Sequence, residues 1–368
     1  MHITTKKPDA RFARLTTLAL AATMIPLSLS LAAVAGASAK TGPTLVVYSA
    51  QGYDAATVKA FNATHPGFAV TLNDNSTGPL LQQIQAEGNH PTWGVLWVDG
   101  AQAFAQLDRE GLLAKHIVPK VSFNTVGRAN IPADGSYVPT GLTATGALVY
   151  DSAQIKASQL PKTWGDLLKA KYKGMIGMND PTQSGPTYPM IAGVMNNLGH
   201  YRSGSTVAAM RAGEAYFAKL KANGLVINAT NGPTLSAIAA HTIKMAIIQS
   251  SAGYGAEVST SPTFRVAYLS PVTALPGVIG IDAKMPKAVR AEAQKFVDYV
   301  LSPAGQHVMQ IGDPQGDSLF WPVLNGERPS NRVIPPLRSV PMQTTNPYVW
   351  GPLESSVNTW FSATINNG

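Results

Sequence analysis

Between Thr44 and Leu107 three short apolar runs alternate with three helical patterns, and that rhythm constrains the fold more than anything else in the chain. Thr44 to Tyr48 (T-L-V-V-Y) reads as a buried strand, followed by the loop Ser49-Ala50-Gln51-Gly52 and a helix with Val58 and Phe61 on its apolar stripe. Phe68 to Leu72 alternates like a second strand. Asn73 to Pro79 then leads into a helix carrying Leu80, Leu81 and Ile84, where Ser76 or Thr77 can cap and Pro79 suits the first turn. Gly94 to Val98 is the third run, and Asp99-Gly100 leads to a helix through Phe104 and Leu107. Such alternation predicts an α/β domain with a parallel sheet covered on both faces. Ligands of such sheets sit beyond the carboxyl ends of the strands, where the loops holding Ser49 and Gln51, Ser76 to Gly78, and Asp99 converge.

A second junction of this kind is M-N-D-P-T-Q-S-G-P-T-Y-P, Met178 to Pro189, between the apolar run Met175 to Met178 and a helix with Met190, Ile191, Val194, Met195 and Leu198 on one face. Free N–H groups and hydroxyls at a helix start favour anions, so Ser184, Gly185, Thr187 and Tyr188 are candidate ligand contacts. Ser184 or Thr187 serves equally well as a plain helix cap. Asn228 to Leu235 repeats the loop-to-helix pattern, and Met245 to Gln249 reads as a strand. Tyr137 to Tyr150 is a long extended run, taken as a crossing into a second lobe, and Thr273 to Asp282 is the return. The helix Ala291 to Leu301 rejoins the first lobe, and a Pro-rich strap, Arg328 to Pro347, leads to a last helix with Val357, Trp360 and Phe361. The expected division is 40–140 and 275–368 for lobe 1 and 141–274 for lobe 2, with hinges at Pro139 to Ala144 and Ala274 to Val278.

Residues 1–39 read as an export signal. Lys6, Lys7, Arg11 and Arg14 precede the uncharged apolar stretch Leu15 to Leu31, and Ala37-Ser38-Ala39 marks cleavage before Lys40. The net charge is +8, and +3 lies in those 39 residues, so +5 remains on the mature chain, scattered without the basic patch that nucleic acid needs. With no cysteine there is no disulfide, thiolate metal site or lipid-modified cysteine, which points to a soluble periplasmic protein. The seven histidines never stand at metal-ligand spacing. Gly316-Asp317-Ser318-Leu319 spells a secreted-esterase signature, but no histidine follows His307 to serve as base. A secreted serine hydrolase using Ser318 or Ser184 is the rival from another class.

The collinear set L-V-V-Y-S-A-Q (45–51), G-V-L-W-V and its following acidic residue (94–99), L-D-R-E-G-L-L (107–113), T-W-G-D-L-L (163–168), Q-S-G (183–185) and A-E-A-Q-K-F-V-D-Y-V-L-S-P-A-G-Q (291–306) resembles solute-binding proteins of ABC importers. More narrowly, it is similar to the branch holding ferric-iron, phosphonate, phosphate-ester and polyamine binders. The resemblance covers roughly the whole mature chain. It implies a two-lobed type II periplasmic-binding-protein fold, each lobe a mixed, mainly parallel sheet flanked by helices and joined by two crossing strands. It also implies no catalysis and no resident cofactor, with an inner-membrane permease and ATPase as partners.

In the iron binders a histidine, a carboxylate and two adjacent tyrosines hold the metal, and these positions fall on Gly52, Asp99, Ser251 and Ala252, so only the carboxylate is kept. The accompanying anion site matches Ser184, Gly185, Asn231 and Gln249, with Thr187 standing in where Pro186 lacks an N–H. Ser76, Thr77 and Gly78 resemble the hydroxyl-rich helix start of phosphonate and phosphate-ester binders, and Asp99 can take an ammonium or hydroxyl at the other end. The expected solute is therefore a small anion or zwitterion, a phosphonate or phosphate ester. The alternatives are a degenerate ferric binder and a thiamine or polyamine binder.

Overall fold

Runs of Val, Leu and Ile bounded by turn-forming residues become strands that bury both faces, and the polar loops between them stay at the strand ends. The structure, a computed structural model, describes residues 44–201 and 205–367, so the expected export signal lies outside the described residues. The strands are β1 (Thr44–Ser49), β2 (Ala69–Asp74), β3 (Val95–Asp99), β4 (Tyr137–Asp151), β5 (Ile176–Asn179), β6 (Val226–Asn228), β7 (Met245–Ile248), β8 (Phe264–Ile281) and β9 (Met342–Gln343). They join in one sheet of order β2-β1-β3-β8-β4-β7-β5-β6, with β9 beside β8.

The sheet is not wholly parallel, as the alternation alone predicts. β2-β1-β3 and β7-β5-β6 are parallel sets, while β3 with β8, β8 with β4, and β4 with β7 pair antiparallel. A chain that leaves one set and returns to it must cross once in each direction, which makes β4 and β8 antiparallel. All 15 residues of β4 are buried.

The registers bring the two parallel sets end to end. β3 pairs with the far end of β8, Asp99 opposite Gly277, and β7 pairs with the far end of β4, Ile248 opposite Ala147. Between these ends lies a short stretch in which Gly141 to Ala144 pair with Gly277 to Ala274, flanked by register shifts at Pro139/Gly141 and Thr145/Ala147. The carboxyl ends of both sets therefore face one another across this stretch, the place where such sheets bind ligands.

The C-terminal segment touches helices from both sets. The Tyr348 hydroxyl donates to Asp108 Oδ2 at 2.7 Å on the helix Ala101–Arg109. Further along, Phe361 packs edge-on against Phe217 at 5.7 Å, and Lys221 Nζ donates to the Thr364 carbonyl at 3.0 Å, both on the helix Val207–Ala222. No helix among the described residues is long and apolar enough to cross a membrane.

Candidate functional site

At the meeting of the strand ends, Asp99 is gripped from both sets. Gln51 Nε2, from the loop after β1, donates to Asp99 Oδ1 at 3.1 Å, and Gln249 Nε2, just after β7, donates to Oδ2 at 2.9 Å. The Tyr53 hydroxyl donates to Gln51 Oε1 at 2.6 Å and so fixes which way that amide faces. A second carboxylate completes the cluster. Asp317 Oδ2 accepts the Gly52 N–H at 2.8 Å, and the Asp317 N–H donates to Asp313 Oδ2 at 2.7 Å.

Burial, reinforced by the charge of Asp317, pushes Asp99 up to about 7, while the Gln51 and Gln249 amides pull the other way. Burial likewise pushes Asp317 up to about 6, opposed by the Gly52 N–H, reinforced by Asp313 and opposed again by the Ser251 hydroxyl. Among the described residues no cation contributes to either shift and neither carboxylate has an ion-pair partner. Two adjacent carboxylates so placed, wrapped in neutral donors, form a site that gains by receiving positive charge.

A second group of predicted residues forms where the helix Thr77–Glu87 meets the loop before the helix Thr187–Leu198. A Cβ on Gly185 would stand 2.3 Å from Thr77 Oγ1, and one on Gly78 would stand 2.0 Å from the Thr182 carbonyl oxygen. Only glycine permits this approach, so the two loops are in direct contact. Behind them Asn179 Nδ2 donates to Ser184 Oγ at 3.1 Å and to Asn231 Oδ1 at 2.7 Å, and Thr234 Oγ1 donates to Asn179 Oδ1 at 2.7 Å. Asn179, part of the Met178 to Pro189 stretch but not among the candidate contacts there, is thus the organiser of this group. Its position as the last residue of β5 was the available signal.

Several expectations are corrected. Tyr188 is fully buried and its hydroxyl donates to the Trp350 carbonyl, so it faces the core rather than a ligand. Ser49 is also fully buried, and its hydroxyl accepts the Gln51 N–H at 3.2 Å, shaping the loop instead of lining it. Neither Ser184 nor Thr187 caps the helix: the capping position is Pro186, and no side chain accepts there. Ser76 does hold the capping position of the helix Thr77–Glu87, without a side-chain bond. Thr187 is buried, and its N–H turns to the Ser184 carbonyl at 3.0 Å.

Asp317 was the residue sequence reasoning passed over, since it was read only as part of an esterase-like tetrapeptide. Its neighbour Ser318 is fully buried, donates to the Met309 carbonyl and accepts the Asp313 N–H at 2.9 Å, so it anchors the loop that presents Asp317. The ferric ligand set is not matched either. Gly52, Ser251 and Ala252 carry no anionic oxygen, and the nearby Tyr254 hydroxyl is hydrogen-bonded to that of Tyr268. Among the described residues no group of three or more His, Asp or Glu side chains is placed to hold a metal.

Comparison with known proteins agrees with this architecture. The family model described as bacterial extracellular solute-binding protein matches residues 56–314. A Fe(3+)-binding periplasmic protein of Serratia marcescens is 26% identical over 165 residues, 45% of this chain and 46% of that one. Iron-bound HitA from Pseudomonas aeruginosa superposes with a TM-score of 0.69 at 21% identity, covering 86% of this chain and 99% of HitA. The periplasmic binding protein AfuA from Actinobacillus pleuropneumoniae, with fructose-6-phosphate bound, gives a TM-score of 0.72 at 18% identity over 89% of this chain and 100% of AfuA. At such identities the structural likeness bears on the fold alone, a mixed sheet flanked by helices as in type II periplasmic binding proteins. The family model spans well over half of the chain, which therefore belongs to the bacterial extracellular solute-binding proteins.

Proposed function

We propose that the protein is the solute-binding component of an ABC importer and that its solute is a small zwitterion carrying an amine at one end. The protein is exported, captures the solute between two lobes (40–140 with 275–368, and 141–274), and hands it to a membrane permease driven by an ATPase. The Gly141–Ala144 and Ala274–Gly277 stretch is the hinge. In this reading the ammonium lies against Asp99 and Asp317, with the Gln51 and Gln249 amides orienting the carboxylates. The anionic end, a phosphonate, phosphate ester or carboxylate, lies toward Ser184, Gly185 and the helix start at Ser76 to Gly78, with Asn231 and Ser251 at the margins.

One observation carries the choice of a zwitterion over a simple anion: Asp99 and Asp317 stand together, and among the described residues neither has an ion-pair partner. A plain phosphate ester would bring further negative charge to a pair that burial already makes costly to ionise. An ammonium would neutralise it through charge-assisted hydrogen bonds, the stronger kind.

The test is thermal unfolding of the exported protein with 2-aminoethylphosphonate, glycerol phosphate, thiamine, spermidine and ferric citrate. A ligand at a hundredfold its Kd adds about 2.7 kcal/mol, a rise of several degrees in Tm. The expected result is a rise with 2-aminoethylphosphonate that disappears in Asp99→Asn. A rise with glycerol phosphate that survives Asp99→Asn, or with ferric citrate alone, would overturn the reading.

A further inference from the structure

Charge that is scattered along the sequence is gathered by the fold. The stretches 152–175 and 215–245 hold eight lysines and a single carboxylate, Asp166, a net +7 against +5 for residues 40–368 together. They contain the turns that lead into β5, β6 and β7, so the lysines collect at the amino ends of those strands. The turns touch one another. The Gly174 N–H donates to the Asn223 carbonyl at 2.9 Å, the Lys244 N–H donates to the Met175 carbonyl at 2.9 Å, and Asn223 Nδ2 donates to the Leu167 carbonyl at 2.9 Å. A Cβ on Gly224 would stand 2.9 Å from the Gly174 nitrogen, so only glycine lets these two loops meet.

The face they form is one-sided. Lys169, Lys171, Lys173 and Lys219 are exposed and Lys244 is half-buried. Lys169 pairs with Asp166 at 2.5 Å, and the other four form no ion pair among the described residues. Lys219 lies in the last turn of the helix Val207–Ala222, where a cation suits the helix dipole, but that accounts for one lysine only. Lysines that serve solubility alone are interspersed with carboxylates, and here the carboxylates are missing. Val226, which opens the edge strand β6 two residues beyond Gly224, is an exposed apolar side chain beside them.

We propose that this face docks the protein on an anionic phospholipid surface, its lysines against the headgroup phosphates and Val226 toward the interface. Protein partners are anchored chiefly by Trp, Tyr and Arg. The two stretches contain no Arg, and their Trp164, Tyr172 and Tyr216 are buried. Lysine is a mobile point charge, suited to a surface whose own charges move, and each one near an anionic bilayer raises affinity about fivefold. Asn179 ends β5 and Gln249 follows β7 at the opposite ends of these strands, so docking leaves the Asp99 cluster untouched. The proposal does not depend on which solute that cluster holds.

Cosedimentation of the exported protein with vesicles tests it, comparing phosphatidylcholine alone with an equimolar mixture of phosphatidylcholine and phosphatidylglycerol, at low and at high salt. One triple variant, Lys171→Gln with Lys173→Gln and Lys244→Gln, discharges the face. A second, Lys59→Gln with Lys120→Gln and Lys287→Gln, removes the same charge from exposed lysines outside the two stretches. Each is first checked for an unchanged Tm. The expected result is saturable binding to the phosphatidylglycerol vesicles only, lost at high salt, at least tenfold weaker in the first triple variant and unchanged in the second. Equal weakening in both variants would assign the effect to net charge and overturn the proposal. So would the absence of vesicle binding at low salt, including the case in which a soluble polyanion such as heparin binds instead.

Discussion

The Gln249 side chain donates to Asp99 Oδ2 at 2.9 Å, a hydrogen bond that ties the end of β7 to the end of β3 across the crossing strands. The two residues belong to opposite parallel sets, so in the lobe-closure reading proposed above this bond would form only while the strand ends face each other closely.

The first prediction concerns pH. Asp99 and Asp317 rise from 3.8 to about 7 and about 6. Between about pH 4 and pH 7 the folded chain then binds more protons than the unfolded one, and their contribution to stability falls as pH rises through that window. The ligand-free protein should show a Tm that declines from pH 5 to pH 8, and Asp99→Asn should raise the pH 8 value and flatten the slope. An amine-bearing ligand should bind more tightly over the same rise in pH, as the carboxylates ionise. A Tm that climbs from pH 5 to pH 8 with no change in Asp99→Asn would contradict this.

Gly78 and Gly185 test the closeness of the two loops. The Cβ of Gly78→Ala would meet the Thr182 backbone carbonyl at 2.0 Å, which cannot swing aside, while that of Gly185→Ala would meet the Thr77 side chain at 2.3 Å, which can rotate. Gly78→Ala should therefore prop the loops apart more strongly. Solution scattering should show a larger radius of gyration for Gly78→Ala than for the wild type, with Gly185→Ala between them. Equal radii for all three would mean the contact is not populated in solution.

How far the sequence revealed this arrangement depends on distance along the chain. β1, β3, β5 and β7 were legible because short apolar runs end in polar loops, and the long β4 was legible from its uninterrupted extended pattern. The start of β8 was not, since Arg265 and Ser270-Pro271 interrupt its apolar character while its partner strand supplies the pairing. Asp317 was hidden for a different reason: it reaches Gly52 from 265 positions away, and no local spacing records that approach. Tyr188 was misread although the signal was present. It precedes Ile191 by three and Met195 by seven, so helical periodicity already set it on the buried stripe.

Tyr188→Phe and Gln249→Ala should separate the core from the cleft. Tyr188→Phe removes only the bond to the Trp350 carbonyl, which should cost about 1 kcal/mol of stability and leave ligand affinity intact. Gln249→Ala removes a donor to Asp99 and empties a buried place, so it should reduce 2-aminoethylphosphonate affinity and lower the unfolding midpoint together. Chemical denaturation and calorimetry on both variants would decide it. Lost affinity in Tyr188→Phe at unchanged stability would return Tyr188 to the ligand.

Ser318 decides between a loop anchor and a nucleophile. Its hydroxyl is fully enclosed and bonded in both directions, to the Met309 carbonyl and from the Asp313 N–H. Ser318→Ala strands both of those backbone groups, so it should destabilise the protein by roughly 1–3 kcal/mol. The loop that presents Asp317 to the Gly52 N–H then loosens, and solute affinity should fall in step with stability. Ser318→Thr, which keeps the hydroxyl but adds a methyl to a tightly packed place, should restore part of the hydrogen bonding and none of the packing. Turnover of a chromogenic ester by the wild type that vanishes in Ser318→Ala would instead make this serine a nucleophile. Both of its hydrogen bonds go to backbone groups, which argues against that outcome, because a serine hydroxyl needs a base to accept its proton.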